Sequence, residues 1–202
     1  MTWTTIPTDE QIGEAIAALQ KNGFDAIVVN TGADAKAKVV ELVPKGAEVM
    51  TMSSVTLETI GVTKEINESG NYDSVKVKLS KMDRATQETE MQKLGAAPQW
   101  AIGSVHGITL QGDVIVASNT GSQLPAYAYA SEHVIWVVGA QKIVENMDTV
   151  MKRLYEYTLP LENDRMQKAH GMGSFVSKLL TFHREIKKGR VTIIFVKEVL
   201  GF

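Results

Sequence analysis

The first third of the chain repeats a strand, a turn and a helix, and this repeat constrains the fold more than any other feature. The predicted strands lie at 24–29 and 48–52, and the predicted helices lie at 35–43 and from 55 onward. Pro44 ends the first of these helices, while Ser53 and Ser54 are suited to cap the second. Alternation of this kind is typical of parallel α/β folds with right-handed crossovers. The pattern therefore predicts a parallel α/β architecture.

Two further patterns in the first half predict a helix and a strand. Thr8 and Gln11 form a capping box, with which an amphipathic helix begins. Apolar residues alternate with Lys76 and Lys78, and this period of two predicts a half-exposed strand at 72–79.

The second half is predicted to contain a β-hairpin between flanking helices and strands. Residues 100–109 and 114–117, joined by 110–113, have the apolar content and spacing of a hairpin. The other predicted elements are helices at 83–94 and 147–158, the latter ended by Pro160, and strands at 133–138 and 191–196. Because no repeat or linker interrupts this order, we expect a single domain over residues 1–202.

Residues 95–131 contain one formal charge, Asp113, although 22% of the chain is charged. Within this stretch an apolar run at 114–116 leads directly into a polar loop. Its candidate ligand residues are Ser118, Asn119, Thr120, Gly121, Ser122 and Gln123. Hydroxyls, an amide and a glycine after a strand offer donors suited to a polar or anionic ligand. The same residues are equally typical of a serine-rich turn that satisfies its own backbone.

Composition excludes several classes of function. A net charge of -2 and a pI near 6.1 argue against a nucleic-acid partner. The absence of cysteine excludes disulfides, cysteine nucleophiles and thiolate-bound zinc or iron–sulfur clusters within these residues. The four histidines show no close metal-ligand pairing, so we expect no metal. A complete dinucleotide fingerprint is also missing, and we expect no bound cofactor. Without a membrane-length apolar stretch or a signal peptide, we expect a cytoplasmic protein with no membrane partner.

Four segments of the C-terminal half resemble the lactate-utilisation (LUD) domain family. They are GSVHGIT at 103–109, VASNTGSQLP at 116–125, VIWVVGAQKIV at 134–144 and GRVTIIFVKEVLGF at 189–202. The family is similar in fold to the NagB/RpiA/CoA-transferase-like group. The resemblance therefore implies an open, mostly parallel α/β sheet with helices on both faces, in addition to the hairpin. Members of that group bind sugar phosphates, nucleotides, folates or CoA near the carboxyl ends of strands.

The resemblance directs attention to two turns and one glutamate. The turns follow predicted strands and precede predicted helices, where N–H groups favour an anion. Their candidate ligand residues are Asn30, Thr31, Gly32, Ser53, Ser54 and Thr56. We expect both turns to converge with residues 117–123 on one cleft. Family I CoA-transferases carry a catalytic glutamate, and Glu132 is the candidate for that role, the alternative being a solvated side chain.

Three other side chains near these segments could contribute chemistry. His106, in the predicted strand beside Ser104, is either a candidate catalytic residue that exchanges a proton with a ligand or a core histidine bonded to a carbonyl. Lys142, after the 133–138 strand, either reaches a ligand anion or faces solvent. Arg165 is expected to pair locally with Glu162.

Two functional classes follow. In the first, the chain takes part in the oxidation of lactate to pyruvate as a non-redox subunit or small-anion-binding component beside an iron–sulfur partner protein. Redox chemistry on lactate needs a flavin, nicotinamide or metal centre, and this sequence shows no cysteine ligand set and no complete dinucleotide fingerprint. In the second, the chain is a stand-alone enzyme or sensor for a phosphorylated, CoA-linked or carboxylate metabolite. Both classes imply a small anionic metabolite as ligand, and both are compatible with a homo-oligomer.

Overall fold

The computed structural model describes residues 2–202, which form eight α-helices and ten β-strands. The helices are α1 (Asp9–Lys21), α2 (Gly32–Leu42), α3 (Val55–Thr59), α4 (Val62–Glu68), α5 (Val75–Ser80), α6 (Arg84–Ala96), α7 (Met147–Arg153) and α8 (Leu159–His170). The strands are β1 (Asp25–Val29), β2 (Glu48–Thr51), β3 (Asp73–Ser74), β4 (Trp100–Gly103), β5 (Gly107–Thr109), β6 (Val114–Ser118), β7 (His133–Gly139), β8 (Ile143–Val144), β9 (Lys178–Phe182) and β10 (Val191–Val196).

Six strands form a parallel sheet in the order β1-β10-β7-β4-β2-β3. The central strand β7 contributes to an apolar core on each face. Val134 and Trp136 pack on the face that α1 covers, whereas Ile135 and Val137 pack on the face that α2, α3 and α4 cover. A parallel sheet buried on both faces requires such a continuous apolar strand. The predicted α/β class, with helices on both faces of a parallel sheet, is confirmed.

A second sheet, in the order β8-β5-β6-β9, stands beside the first. The predicted hairpin is present as the antiparallel pair β5 and β6, but residues 100–109 are not one strand. β4 pairs within the large sheet and β5 within the small one, so the chain changes sheets at Ser104–His106. Gly103 and Gly107 permit this change, because a Cβ there would overlap the Tyr127 hydroxyl or the Val150 side chain.

The strand predicted at 72–79 is wrong beyond its first residues. β3 contains only Asp73 and Ser74, and α5 follows at once. The Ser74 hydroxyl accepts a hydrogen bond from the Val77 N–H at 3.2 Å and so starts a helix. This local cap overrides the alternation of valine and lysine.

The helix predicted to end at Pro160 continues past it. A π-helical segment, Leu154–Thr158, joins α7 to α8, and Pro160 lies in the first turn of α8. Because the helix is continuous here, Pro160 removes one hydrogen bond from the ladder, and it does so directly after a π-helical turn, where the ladder is already altered. β9, which the sequence pattern did not predict, pairs along β6 with its first residues exposed.

Candidate functional site

A cleft of about 390 Å³ opens where the large sheet faces the small one. Three segments at its wall follow β2, β4 and β7, so the carboxyl ends of parallel strands supply the site, as in other open α/β folds. The predicted site residues that line it are Ser53, Ser54, Thr56, Ser104, His106, Ser118, Asn119, Thr120, Ser122, Gln123 and Lys142. Two of the three predicted segments therefore converge.

The third predicted segment, the turn Asn30–Gly32, does not line the cleft. It follows β1 at the edge of the sheet, about 19 Å from β2 at ~4.8 Å per strand. The Gly32 N–H donates to the Glu198 carboxylate at 3.1 Å, and Thr31 forms a capping box with Asp34. A side chain of the protein already occupies the place expected for an anion.

Glu132 and Gly121 also lie outside the cleft lining. The exposed Glu132 accepts a 3.5 Å hydrogen bond from Gln99, which fits a solvated surface residue. Gly121 has a φ of +90°, and a Cβ there would approach the Lys178 side chain at 2.7 Å. The positive φ and the close packing of Lys178 therefore explain why glycine occupies position 121.

Lys142 is the most unusual residue of the cleft. The short 3₁₀ turn after β7 carries it into the wall, where the residue is 2% exposed. Its ammonium donates to three neutral oxygens: Thr56 Oγ1 at 3.4 Å, Ser104 Oγ at 3.2 Å and the Val105 carbonyl at 3.2 Å. Burial, assisted by the positive charge of Arg153, lowers the pKa of Lys142 from 10.5 to about 7. The solvent-facing alternative is thus wrong.

Arg153, which the sequence analysis missed, is a second buried cation behind the cleft wall. One guanidinium nitrogen, Nη1, donates to the His106 carbonyl at 2.8 Å and to Thr158 at 3.0 Å. Within residues 2–202, Nε and Nη2 have no hydrogen-bond partner, and the guanidinium lies 5.3 Å from the centre of the Tyr157 ring. Burial lowers the pKa of Arg153 to about 10, so it stays charged at neutral pH.

One signal in the sequence could have identified Arg153. The residue follows Val150 by three positions and precedes Leu154 by one, and both of these apolar residues are buried. An arginine on the apolar stripe of an amphipathic helix faces the core unless the helix unwinds.

His106 lies in the segment that changes sheets. Its Nδ1 accepts a hydrogen bond from the Ala117 N–H at 3.1 Å, so the ring proton is on Nε2. Burial, together with the charges of Lys142 and Arg153, lowers the pKa of His106 to about 3. A neutral imidazole of this kind is a hydrogen-bond donor at the cleft wall and a poor base.

The polar loop at 117–123 satisfies many of its own groups while it lines the cleft. The Ser118 hydroxyl donates to Gln123 at 2.9 Å and accepts from the Gly121 N–H at 2.8 Å. Thr120 donates to Ser122 at 3.1 Å. The loop therefore forms hydrogen bonds among its own groups, as in a serine-rich turn, and also forms part of the cleft wall.

The opposite wall carries the ion pair predicted between Arg165 and Glu162. Arg165 donates two hydrogen bonds of 2.7 Å to the Glu162 carboxylate. Because this carboxylate is engaged by Arg165, it does not neutralise Lys142. Among residues 2–202, no carboxylate forms an ion pair with Lys142 or with Arg153.

The arrangement provides positive charge that the protein itself leaves unbalanced. A buried charge costs several kcal/mol unless a counter-charge or a full set of hydrogen bonds compensates it. Here the cation at the wall, Lys142, shares the cleft lining with two neutral groups, the Ser104 hydroxyl, 3.2 Å from Nζ, and the His106 imidazole. Such a site is chemically complementary to a small anion.

Separately, no helix within residues 2–202 combines the length and the apolar character needed to cross a bilayer.

Comparisons with known proteins agree with the fold. A DUF162 family protein from Deinococcus radiodurans, whose crystal structure is known at 1.70 Å resolution, superposes with a TM-score of 0.59 at 10% sequence identity. The superposition covers 94% of this chain and 99% of the other. At this identity the likeness shows the fold alone. No curated protein matches the sequence. The family model of the LUD domain matches residues 12–196, and the chain therefore belongs to the LUD-domain family.

Proposed function

We propose that this protein binds a small carboxylate in the cleft and acts as a non-redox component of lactate utilisation. Membership of the LUD-domain family supports the association with lactate. The observation that carries the proposal is the pair of buried cations, Lys142 and Arg153, neither of which forms an ion pair with a carboxylate of residues 2–202.

Lactate and pyruvate match the donors of the site. Their carboxylate would accept from the Lys142 ammonium and from the His106 Nε2–H, both at the cleft wall. The Ser104 oxygen already accepts from Lys142, so its own proton is free to reach the oxygen on C2. Charge-assisted hydrogen bonds in a partly dry cleft are stronger than neutral ones.

The proposed role is binding, with the oxidation carried out by a partner. Oxidising lactate requires a flavin, a nicotinamide or a metal centre to accept electrons. The 202 residues contain no cysteine to ligate a cluster and no complete dinucleotide fingerprint. An iron–sulfur protein is the partner that would supply this chemistry.

Calorimetric titration with L-lactate and pyruvate tests the proposal. We expect the wild-type protein to bind at least one of the two and Lys142→Met to bind 100-fold more weakly or worse, because a buried charged partner is worth roughly 2–5 kcal/mol. Lys152→Met, an identical substitution at an exposed lysine of α7, is the matched control and should bind as the wild type does. Absence of binding to both acids, or full affinity in Lys142→Met, would contradict the proposal.

The size of the cleft favours a second candidate function. Its volume of about 390 Å³ lies in the range of sites for drug-sized molecules, roughly 300–1,000 Å³. A three-carbon acid fills only part of such a space. The alternative ligand is a larger phosphorylated or CoA-linked acid, bound by a stand-alone enzyme or sensor. Tighter binding of such acids than of lactate and pyruvate in the same titration would favour this second candidate.

A further inference from the structure

We infer that Lys142 is a nucleophile that condenses with the carbonyl group of a 2-oxo acid, so that the cleft holds this class of ligand as an imine. The inference rests on the proposed function and deepens it, because it separates pyruvate, which has a carbonyl at C2, from lactate, which does not.

The surroundings of Lys142 allow its side chain to exist as a neutral amine as well as an ammonium. One of its three partners, the Ser104 hydroxyl, is able to reverse its role and donate to a neutral nitrogen. The Thr56 hydroxyl keeps its own proton on the Leu200 carbonyl, so Thr56 and the Val105 carbonyl accept the two N–H bonds that a neutral amine retains. Nζ is therefore satisfied by hydrogen bonds in either protonation state, whereas an ion-paired lysine would be locked as an ammonium.

The charges around the amine favour the neutral, nucleophilic form. Arg153 contributes a positive charge from α7, and the neutral His106 contributes none. Across the cleft, Glu162 is neutralised by Arg165, and Lys76 adds a further cation from α5. A lysine that is desolvated beside another cation reacts with carbonyl compounds near neutral pH, and the pKa of about 7 agrees with this environment.

The proposed condensation balances without any oxidant or reductant. The lone pair of the neutral Nζ attacks C2 and forms the N–C bond, while the carbonyl electron pair moves to oxygen. That oxygen takes a proton that originates on Nζ, with the Ser104 hydroxyl, 3.2 Å from Nζ, as the relay. Loss of the hydroxyl group with the second Nζ proton releases one water and leaves the C=N bond.

Borohydride trapping tests this inference on the intact protein. The protein is incubated with pyruvate at pH 8, reduced with sodium borohydride and digested, and the modified peptides are identified by mass spectrometry. We expect one reduced adduct, on Lys142, and none when lactate replaces pyruvate. The extent of trapping should rise as the pH passes through about 7, where the amine loses its proton.

Two variants make the assignment specific. Lys142→Arg keeps a cation at the wall but has no amine able to form an imine, so the adduct should disappear. Lys152→Met should form it as the wild type does. Because the peptide map of the wild-type protein locates the adduct by itself, the test does not depend on either variant folding.

The outcomes separate this inference from the proposed function. Calorimetric binding of pyruvate without an adduct on Lys142 overturns the imine and leaves carboxylate binding intact. Adducts spread over the exposed lysines also overturn it. If pyruvate and lactate show no binding and pyruvate forms no adduct, both the imine and the proposed carboxylate binding are overturned.

Discussion

Two turns of this protein share one sequence pattern and differ in what they can bind. Thr31–Gly32 follows β1, Ser53–Ser54 follows β2, and each turn precedes a helix. At the sheet edge, the Glu198 carboxylate accepts from the Gly32 N–H, so the positive end of α2 is already compensated. The other turn opens on the cleft, where neither Lys142 nor Arg153 forms an ion pair with a carboxylate of residues 2–202.

The difference shows that polar residues between a strand and a helix do not by themselves make an anion site. What separates the two turns is whether a side chain of the same protein already balances the local charge. At the edge the chain supplies its own anion, whereas at the cleft it supplies two cations and leaves the anion to a ligand. Removing a charged side chain should therefore stabilise the folded protein at the cleft and destabilise it at the edge turn.

The largest expected effect on stability is the acid sensitivity that His106 gives to the cleft. Its pKa is about 3 in the folded protein, below the ordinary 6.5, because of burial and the nearby Lys142 and Arg153. The unfolded chain therefore binds the proton more tightly, and stability is lost as the pH falls from 6.5 towards 3. We expect His106→Gln to remove this loss, which is up to about 5 kcal/mol at ~1.36 kcal/mol per pKa unit.

Urea titrations of the wild-type and variant proteins at several pH values would measure this difference. His170→Gln, at an exposed histidine, is the matched control. Equal acid slopes for wild type and His106→Gln would show that the imidazole is not held neutral.

The second prediction is that Lys142→Met stabilises the protein by about 2 kcal/mol at pH 6. Replacing buried ionic groups with apolar ones of similar volume is often stabilising, by roughly 1–4 kcal/mol. The native lysine loses its proton near pH 7 and the unfolded one near 10.5, so wild-type stability rises between these values. The advantage of the variant should therefore shrink as the pH rises from 7 to 10.

Thermal and urea unfolding at pH 6 and pH 10 would measure the change. Lys152→Met should stay within about 0.5 kcal/mol of the wild type at both pH values. A Lys142→Met variant that is less stable than the wild type at pH 6 would mean that the protein already compensates this charge.

The smallest effect, and the one of opposite sign, is expected at the edge turn. Glu198→Gln should destabilise the protein by about 1 kcal/mol, because it removes a charge-assisted hydrogen bond at the N-terminus of α2. Carboxylate affinity should not change, since Gly32 lies outside the cleft.

Glu145→Gln, at an exposed glutamate, serves as the control for loss of a negative charge. A loss of lactate or pyruvate binding in Glu198→Gln would show that the two regions are coupled, and the contrast between them would fail.

The sequence predicts most of the large sheet because its strands are short, apolar and bounded by turns and caps. The cap at Thr8 and the buried strand at His133–Gly139 are local features that the structure retains. The strand predicted at 72–79 fails because one hydroxyl, that of Ser74, starts a helix within an alternating pattern.

The candidate site is predictable only in part, because its charges are balanced over long distances in the chain. Ser104, His106 and Lys142 lie in family-like segments and could be named in advance. Glu198, which closes the edge turn, is 166 positions from Gly32, and Arg153 donates to His106 across 47 positions. Local pattern contains no information about pairs so far apart.

Proton uptake on binding of L-lactate tests most directly whether the ligand supplies the missing negative charge. Titrations at pH 8 in two buffers of different ionisation enthalpy give the number of protons that accompany binding. Free Lys142 is mostly neutral at pH 8, and a carboxylate beside it should raise its pKa. We predict an uptake approaching one proton per lactate, unchanged in Lys152→Met. Lactate binding without proton uptake would contradict the account.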